Sequence, residues 1–252
     1  MVSVDCRSRD WGIAEIEGMK VYVINLKRGV ERRERISRRL RELGVAYEIL
    51  EAVDGIGLSN KTKLDAVRQF AFWCHVGRRV LDGEIGCALS HASIYKRFIA
   101  EQESVGVASM PCICILEDDA IIDDRFLVTL ARIEDEVDPN QSEVILLSNH
   151  YGQLLFADGY VITGPAAKAV LKANIPMCCP CDYWWLWKKR GLIDVRHIVP
   201  PVIGQDIHQT MIGRTLALSQ MNIAQKVFWK VKRAIGLGII FVHDTFKEHV
   251  NG

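Results

Sequence analysis

Residues 112–122 read CICILEDDAII, and this stretch decides the fold. Five apolar residues, Cys112 to Leu116, run straight into three carboxylates, Glu117, Asp118 and Asp119, and Pro111 stands before them. A short, uninterrupted apolar run bounded by turn signals reads as a strand covered on both faces. Sheets of that kind carry helices on both sides, and ligands bind off the carboxyl ends of their strands. The three acids therefore fall in a ligand crevice. In extended chain, Glu117 and Asp119 point to one side and Asp118 to the other. Mg²⁺ and Mn²⁺ prefer such oxygen ligands and share them with substrate phosphates. A second reading is that the acids only favour the start of a following helix, expected from Asp123-Asp124 to about Val137. Taken alone, the two readings stand level.

Upstream, Met19 to Leu26 (MKVYVINL) is another β-branched run and predicts a buried strand. Ile36, Leu40 and Leu43 then recur at i, i+4, i+7, one apolar helix face, with Gly44 as its stop. Val45 to Val53 predicts a second strand, closed by Asp54-Gly55. This β-α-β opening implies a parallel pair. The stretch from Gly57 to Val80 has no clear period. A helix follows from Asp82, taken as its N-cap, through Ile85, Leu89, Ala92 and Ile99. Downstream, Val144 to Leu147 and Asp158 to Thr163 predict strands, and Pro165 to about Ala173 a helix. Pro176 to Pro201 reads as loops and short pieces. Strands alternating with helices make this an α/β fold.

The 252 residues carry 32 basic and 31 acidic side chains, a net charge of +1, which argues against a globally basic nucleic-acid binder. The charge is local instead. Lys27 to Arg41 holds eight basic and two acidic residues. For Arg35, Arg38, Arg39 and Arg41 the expectation is a solvated helix face. Asn25 and Arg28, with Arg32 and Arg33 just beyond, sit at a strand end, where arginine forks and a helix start suit phosphate. No aromatic platform for nucleic acid is interleaved there.

Four blocks, in this order and spacing, resemble glycosyltransferase family 25, the lipooligosaccharide galactosyltransferase family. They are VINLKRGVERRERI (Val23 to Ile36), AVDG (Ala52 to Gly55), GEIGCALSH (Gly83 to His91) and ILEDDAII (Ile115 to Ile122). DGYVITGPAAKAVL (Asp158 to Leu171) and PCDYWW (Pro180 to Trp185) continue the likeness, which runs from about Lys20 to about Asp206. The resemblance implies a GT-A-type fold, a Rossmann-like mixed sheet flanked by helices, over residues 19–222. It implies inverting transfer of a sugar, galactose in the family, from a UDP-sugar to an oligosaccharide or lipid-linked glycan. On this reading Asp119 and Glu117 hold Mn²⁺ or Mg²⁺. Asn25, Arg28, Arg33, Asp54, Glu84, Ser90, His91, Glu117 and Asp118 line the sugar-nucleotide site. Asp182, in the Pro-x-Asp position, is the expected general base. Tyr183, Trp184 and Trp185 beside it either stack on a sugar or pack in the core. Cys181 departs from the pattern, where an aliphatic residue is expected.

Met1 to Asp10 has no apolar stretch of the secretory kind, so the expected location is a reducing cytosol. Residues 1–18 read as an irregular lead-in. From Ile223 to Phe246, Lys226, Lys230, Lys232 and Arg233 alternate with Val227, Phe228, Trp229, Val231 and Ile235. Residues 223–252 are therefore expected either to lie on an anionic membrane surface, the inner face of a bacterial inner membrane, or to pack on their own domain. Eight cysteines raise the question of a disulfide framework or a zinc site. Cys112, Cys114 and Cys87 are expected as small apolar residues of the core. That leaves Cys178, Cys179 and Cys181 grouped, without paired C-x-x-C spacing.

Overall fold

The computed structural model describes residues 16–148 and 157–205. The first strand, β1 (Lys20–Asn25), leads into α1 (Val30–Glu42) and β2 (Glu48–Glu51). Gly44 follows α1 at φ +69°, a left-handed conformation that glycine adopts without penalty. A 3₁₀ turn, Gly55–Gly57, precedes two short helices, α2 (Asn60–Asp65) and α3 (Gln69–Val76). These fill the stretch the sequence left unread. Each is under three turns and buries little of a regular face, so no period shows.

The long helix α4 (Asp82–Val105) comes next, then β3 (Cys112–Glu117), the short β4 (Ala120–Ile122) and α5 (Phe126–Glu136). The chain continues with β5 (Glu143–Leu146), β6 (Gly159–Thr163), α6 (Gly164–Asn174), α7 (Trp184–Lys189), β7 (Asp194–His197) and β8 (Ile203–Gln205). Two expectations are corrected here. The N-cap of α4 is Leu81, not Asp82: Glu84 Oε2 accepts the Leu81 N–H at 2.8 Å, while Asp82 is the first helical residue and pairs with Lys63. The helix expected from Asp123 begins at Phe126, and β4 lies between it and the acids. The carboxylates therefore do not serve that helix start.

Six strands form one sheet in the order β2-β1-β3-β6-β5-β7, and β4 pairs with β8 in a separate ribbon. β1 is parallel to both β2 and β3, as the β-α-β reading required. β6 runs antiparallel to β3 and β5, so the sheet is mixed. Alternate residues feed two cores. Tyr22, Ile24, Ile113 and Ile115 face α4, α6 and α7, with Phe98, Trp184 and Trp187. Val21, Val23, Cys112, Cys114 and Leu116 face α1 and α5, with Ile36, Leu40, Phe126 and Leu130. Burial on both faces is why β3 is apolar at every position from Cys112 to Leu116. Each large aliphatic side chain so buried contributes roughly 1.5–3 kcal/mol.

Candidate active site

Because β1 and β3 are parallel neighbours, their carboxyl ends meet at one edge of the sheet, with Ile24 opposite Glu117. β2 lies on one side of β1 and β3 on the other, which makes this edge a switch point where a crevice opens. The reversed β6 begins where β3 ends, and the Asp158 carbonyl accepts the Glu117 N–H at 3.0 Å. Four carboxylates, Glu117, Asp118, Asp119 and Asp158, thus collect at the edge.

Their roles separate by what each touches. Asp118 is fully engaged: Asn25 Nδ2 donates to its Oδ2 at 2.7 Å and Arg32 Nη1 to its Oδ1 at 2.9 Å. Asn25 also donates to the Gly29 carbonyl at 2.9 Å, which ties the β1–α1 turn to β3. Arg32 and Asp118 are both buried, 8% exposed each. Removing one partner of such a pair strands the other charge.

Asp119 is different. It is 7% exposed, and its Oδ1 has no hydrogen-bond partner among the described residues. Arg32 Nη1 stands 3.8 Å from Oδ2. Burial, the chief cause, and the neighbouring Glu117, Asp118 and Asp158 outweigh Arg32 and push the Asp119 carboxyl up to about 7. A buried acceptor without a donor, ringed by acids, is chemically a seat for a cation.

Glu117 turns away from this seat. Its Oε1 lies 3.5 Å from His91 Nε2 and 3.7 Å from Cys87 Sγ. Cys87 and His91, at i and i+4, share a face of α4, and Cys87 Sγ is 3.3 Å from Cys181 Sγ. His91 is 1% exposed, stacks on Tyr160, and its Nδ1 lies 2.7 Å from Tyr160 Oη. Burial opposes charge on the imidazole, but Cys87 and Glu117 prevail and raise its pKa to about 10. Cys87 is thus not the plain apolar residue the sequence suggested.

The two glycine blocks pack on each other. A Cβ on Gly55 would sit 1.7 Å from the Asp82 carbonyl oxygen, and one on Gly86 2.3 Å from that of Val53. Ser90 Oγ donates to the Gly86 carbonyl at 2.7 Å and accepts the Val53 N–H at 2.8 Å. Glu84 is held by Arg78 at 2.6 and 2.8 Å besides capping α4. Ser90 therefore serves this helix–turn contact and Glu84 the start of α4, where the sequence expected both at the nucleotide. Arg28 pairs with Asp54 on the exposed rim, and Asp54 Oδ1 accepts the Ile56 N–H at 3.2 Å. Arg33 is half-buried on α1 and makes no hydrogen bond to the acidic cluster.

Asp182 is half-buried in the loop between α6 and α7, next to Cys181, whose contact with Cys87 brings that loop over the edge. The aromatic patch divides. Trp184 is fully buried with its ring 4.9 Å from that of Tyr160, so it packs in the core, while Tyr183 and Trp185 are half-buried. Among the basic residues assigned to a solvated face, Arg39 departs from that reading, donating to the Ile122 carbonyl at 2.9 Å and pairing with Asp124. Sequence reasoning placed no site role on Asp158, Tyr160 or Cys181, and it set Arg32 beside phosphate rather than against Asp118. A signal for the burial of Arg32 exists: it stands at i−4 and i−8 from Ile36 and Leu40, on the buried face of α1. The others come to the site only by strand reversal and loop return.

A family model described as glycosyltransferase family 25 (LPS biosynthesis protein) matches residues 19–156. The chain is 30% identical over 178 residues to procollagen lysyl hydroxylase and glycosyltransferase of Acanthamoeba polyphaga mimivirus, 62% of this chain and 20% of that one. It is 32% identical over 126 residues to human procollagen galactosyltransferase 2, 48% of this chain and 19% of that one. Human inactive glycosyltransferase 25 family member 3 is 31% identical over 126 residues, 47% and 19%. The chain spans about a fifth of the length of these relatives. A solved glycosyltransferase involved in glycosylation of the major capsid of PBCV-1 superposes with TM-score 0.38 at 10% identity, over 71% of this chain and 81% of that one.

Proposed function

The chain belongs to glycosyltransferase family 25, and from that premise we propose that residues 19–222 form a metal-assisted, inverting glycosyltransferase unit. It moves a sugar, galactose by family likeness, from a UDP-sugar to a glycan acceptor. One observation carries the reading: the buried, unpartnered Asp119 Oδ1 beside Arg32, at the shared edge of parallel strands. The donor set fits a hard divalent cation, Mn²⁺ or Mg²⁺, held by Asp119. Asp118 has both oxygens taken, and the Glu117 Oε1 faces Cys87 and His91, so Glu117 is at most an additional ligand. When bound, the cation supplies positive charge against the departing diphosphate.

The chain's own residues do the rest. Asn25 and Arg32 lock Asp118 and with it the turn at the β3 end, so that Asp119 is held in place. Arg28 and Arg33 lie near the start of α1 and offer donors to phosphate oxygens. Asp182, next to the Cys181 that meets Cys87, takes the proton of the attacking acceptor hydroxyl. Displacement from the face opposite the leaving group then inverts the anomeric carbon. Asp182→Asn is expected to bind UDP as the parent does and to lose transfer by roughly 10²–10⁴-fold. Unchanged transfer rejects Asp182 as base. No UDP release by the parent from any of several UDP-sugars, with Mn²⁺ and a glycan acceptor, rejects the whole reading in favour of a non-catalytic glycan-binding module.

A lipid-linked acceptor would be met at a membrane surface. No described helix is long and apolar enough to cross a membrane, and residues 223–252 lie outside the described residues. We propose Ile223 to Phe246 as a surface contact. Truncation before Ile223 should abolish flotation with anionic liposomes; unchanged flotation removes this part of the reading.

A further inference from the structure

We propose that Cys87, His91, Cys181 and Glu117 form a structural zinc site, separate from the cation seat at Asp119 and independent of whether the chain transfers a sugar. The donor atoms of Cys87, His91 and Cys181 lie within 4.8 Å of one another. Cys87 Sγ to Cys181 Sγ is 3.3 Å, His91 Nε2 to Glu117 Oε1 is 3.5 Å, and Cys87 Sγ to Glu117 Oε1 is 3.7 Å. Tetrahedral zinc, with Zn–S of about 2.3 Å and Zn–N or Zn–O near 2.0–2.1 Å, sets its ligand atoms about 3.3–3.8 Å apart. The His91–Glu117 and Cys87–Glu117 separations suit such pairs, and the two sulfurs would move apart by about 0.5 Å to seat the ion.

The histidine supplies a second, independent sign. His91 is 1% exposed, and its Nε2 is buried without a hydrogen-bond partner, on the side facing both sulfurs and the carboxylate. The opposite nitrogen is orientated: Nδ1 meets Tyr160 Oη at 2.7 Å, and Tyr160 Oη meets Tyr95 Oη at 2.6 Å. Zinc would displace the Nε2 proton, leaving the Nδ1 proton donated to Tyr160 and the Nε2 lone pair directed at the ion. Metal-bound histidines are regularly held this way through the nitrogen that does not bind. Two thiolates and an imidazole favour zinc over the hard cations preferred at Asp119. Glu117, beside Cys87 and His91, is the side chain that would close the fourth position and make the site structural rather than catalytic.

The four ligands come from three separate parts of the chain: α4, the end of β3 and the loop between α6 and α7. Bound zinc would therefore fasten the loop that carries Asp182 to the strand end that carries the carboxylates. Cys181 is the residue that departs from the family pattern, and the aliphatic side chain expected there could not complete the set.

The test is Co²⁺ binding to the full chain, kept reduced. One equivalent should produce thiolate-to-cobalt charge-transfer bands and the visible bands of a tetrahedral ion, and Zn²⁺ should displace them. Cys181→Val, which preserves half-buried bulk, should lose at least half of the charge-transfer intensity and bind at least about a hundredfold more weakly. Zn²⁺ should raise the Tm of the parent and leave that of Cys181→Val unmoved. Cys178→Ser and Cys179→Ser should keep the spectrum. No thiolate band in the reduced parent overturns the site. So does a band that persists in both Cys181→Val and Cys87→Ser, or one that is lost only in the Cys178 and Cys179 variants.

Discussion

Asp119→Asn is expected to abolish sugar transfer, by at least about 10²–10³-fold, while making the protein more stable at neutral and alkaline pH. Both effects have one cause. The carboxyl is buried among Glu117, Asp118 and Asp158 with only Arg32 as a distant counter-charge, which moves its pKa from 3.8 to about 7. A carboxyl with a raised folded-state pKa binds its proton more tightly in the folded chain. The stability this lends is complete below the unfolded value of 3.8 and is lost as pH rises through about 7. Asparagine keeps the shape and removes the titration. At pH 8 and without metal, the variant should be more stable than the parent by up to about 4 kcal/mol, and the two should converge near pH 4. Mn²⁺ should raise the Tm of the parent and not of the variant. Urea unfolding at several pH values and UDP release are the measurements. A variant with transfer within tenfold of the parent removes Asp119 from the reaction, and a parent–variant difference that does not grow with pH removes the electrostatic account.

Gly55→Ala is expected to destabilise the fold by about 3 kcal/mol or more, or to prevent accumulation of folded protein. The new methyl would lie 1.7 Å from a backbone oxygen of α4, at Asp82, and 2.6 Å from its carbonyl carbon. No rotamer relieves a contact with main chain, so the turn after β2 must separate from the helix. That separation would break the hydrogen bond from Val53 N–H to Ser90 Oγ, now 2.8 Å. Gly57→Ala is the control: a Cβ there meets nothing within 4 Å, and its stability should stay within about 1 kcal/mol of the parent. Chemical denaturation decides. A Gly55→Ala protein as stable as the control would mean that the turn and α4 can separate at little cost.

The two blocks that resemble a donor site, AVDG and GEIGCALSH, illustrate how a motif can be legible while its physical duty is not. Gly55, Gly86 and Ser90 hold one turn against one helix in the structure, and Glu84 caps that helix. The segment thereby stays close to the sheet edge without most of its side chains reaching the carboxylates. Cys87 and His91 are the members that do reach them, from the other face of the same helix.

Local pattern alone determined a good deal. β3 was readable because a strand buried on both faces must be apolar at every position, and its end was readable because three acids cannot remain there. α1 was readable because one face repeats every 3.6 residues, and the parallel β1–β2 pair followed from the crossover. Those features placed Asp118 and Asp119 at a crevice without any coordinates. Only the tertiary structure decided which acid is spent on Arg32 and Asn25 and which keeps an unsatisfied oxygen, since partners 86 and 93 residues away leave no mark on local periodicity. It alone decided that β6 runs backwards and delivers Asp158. It alone put Cys181 94 residues along the chain against Cys87. Long-range contacts of this kind are set by how layers pack, and chain spacing carries no record of them.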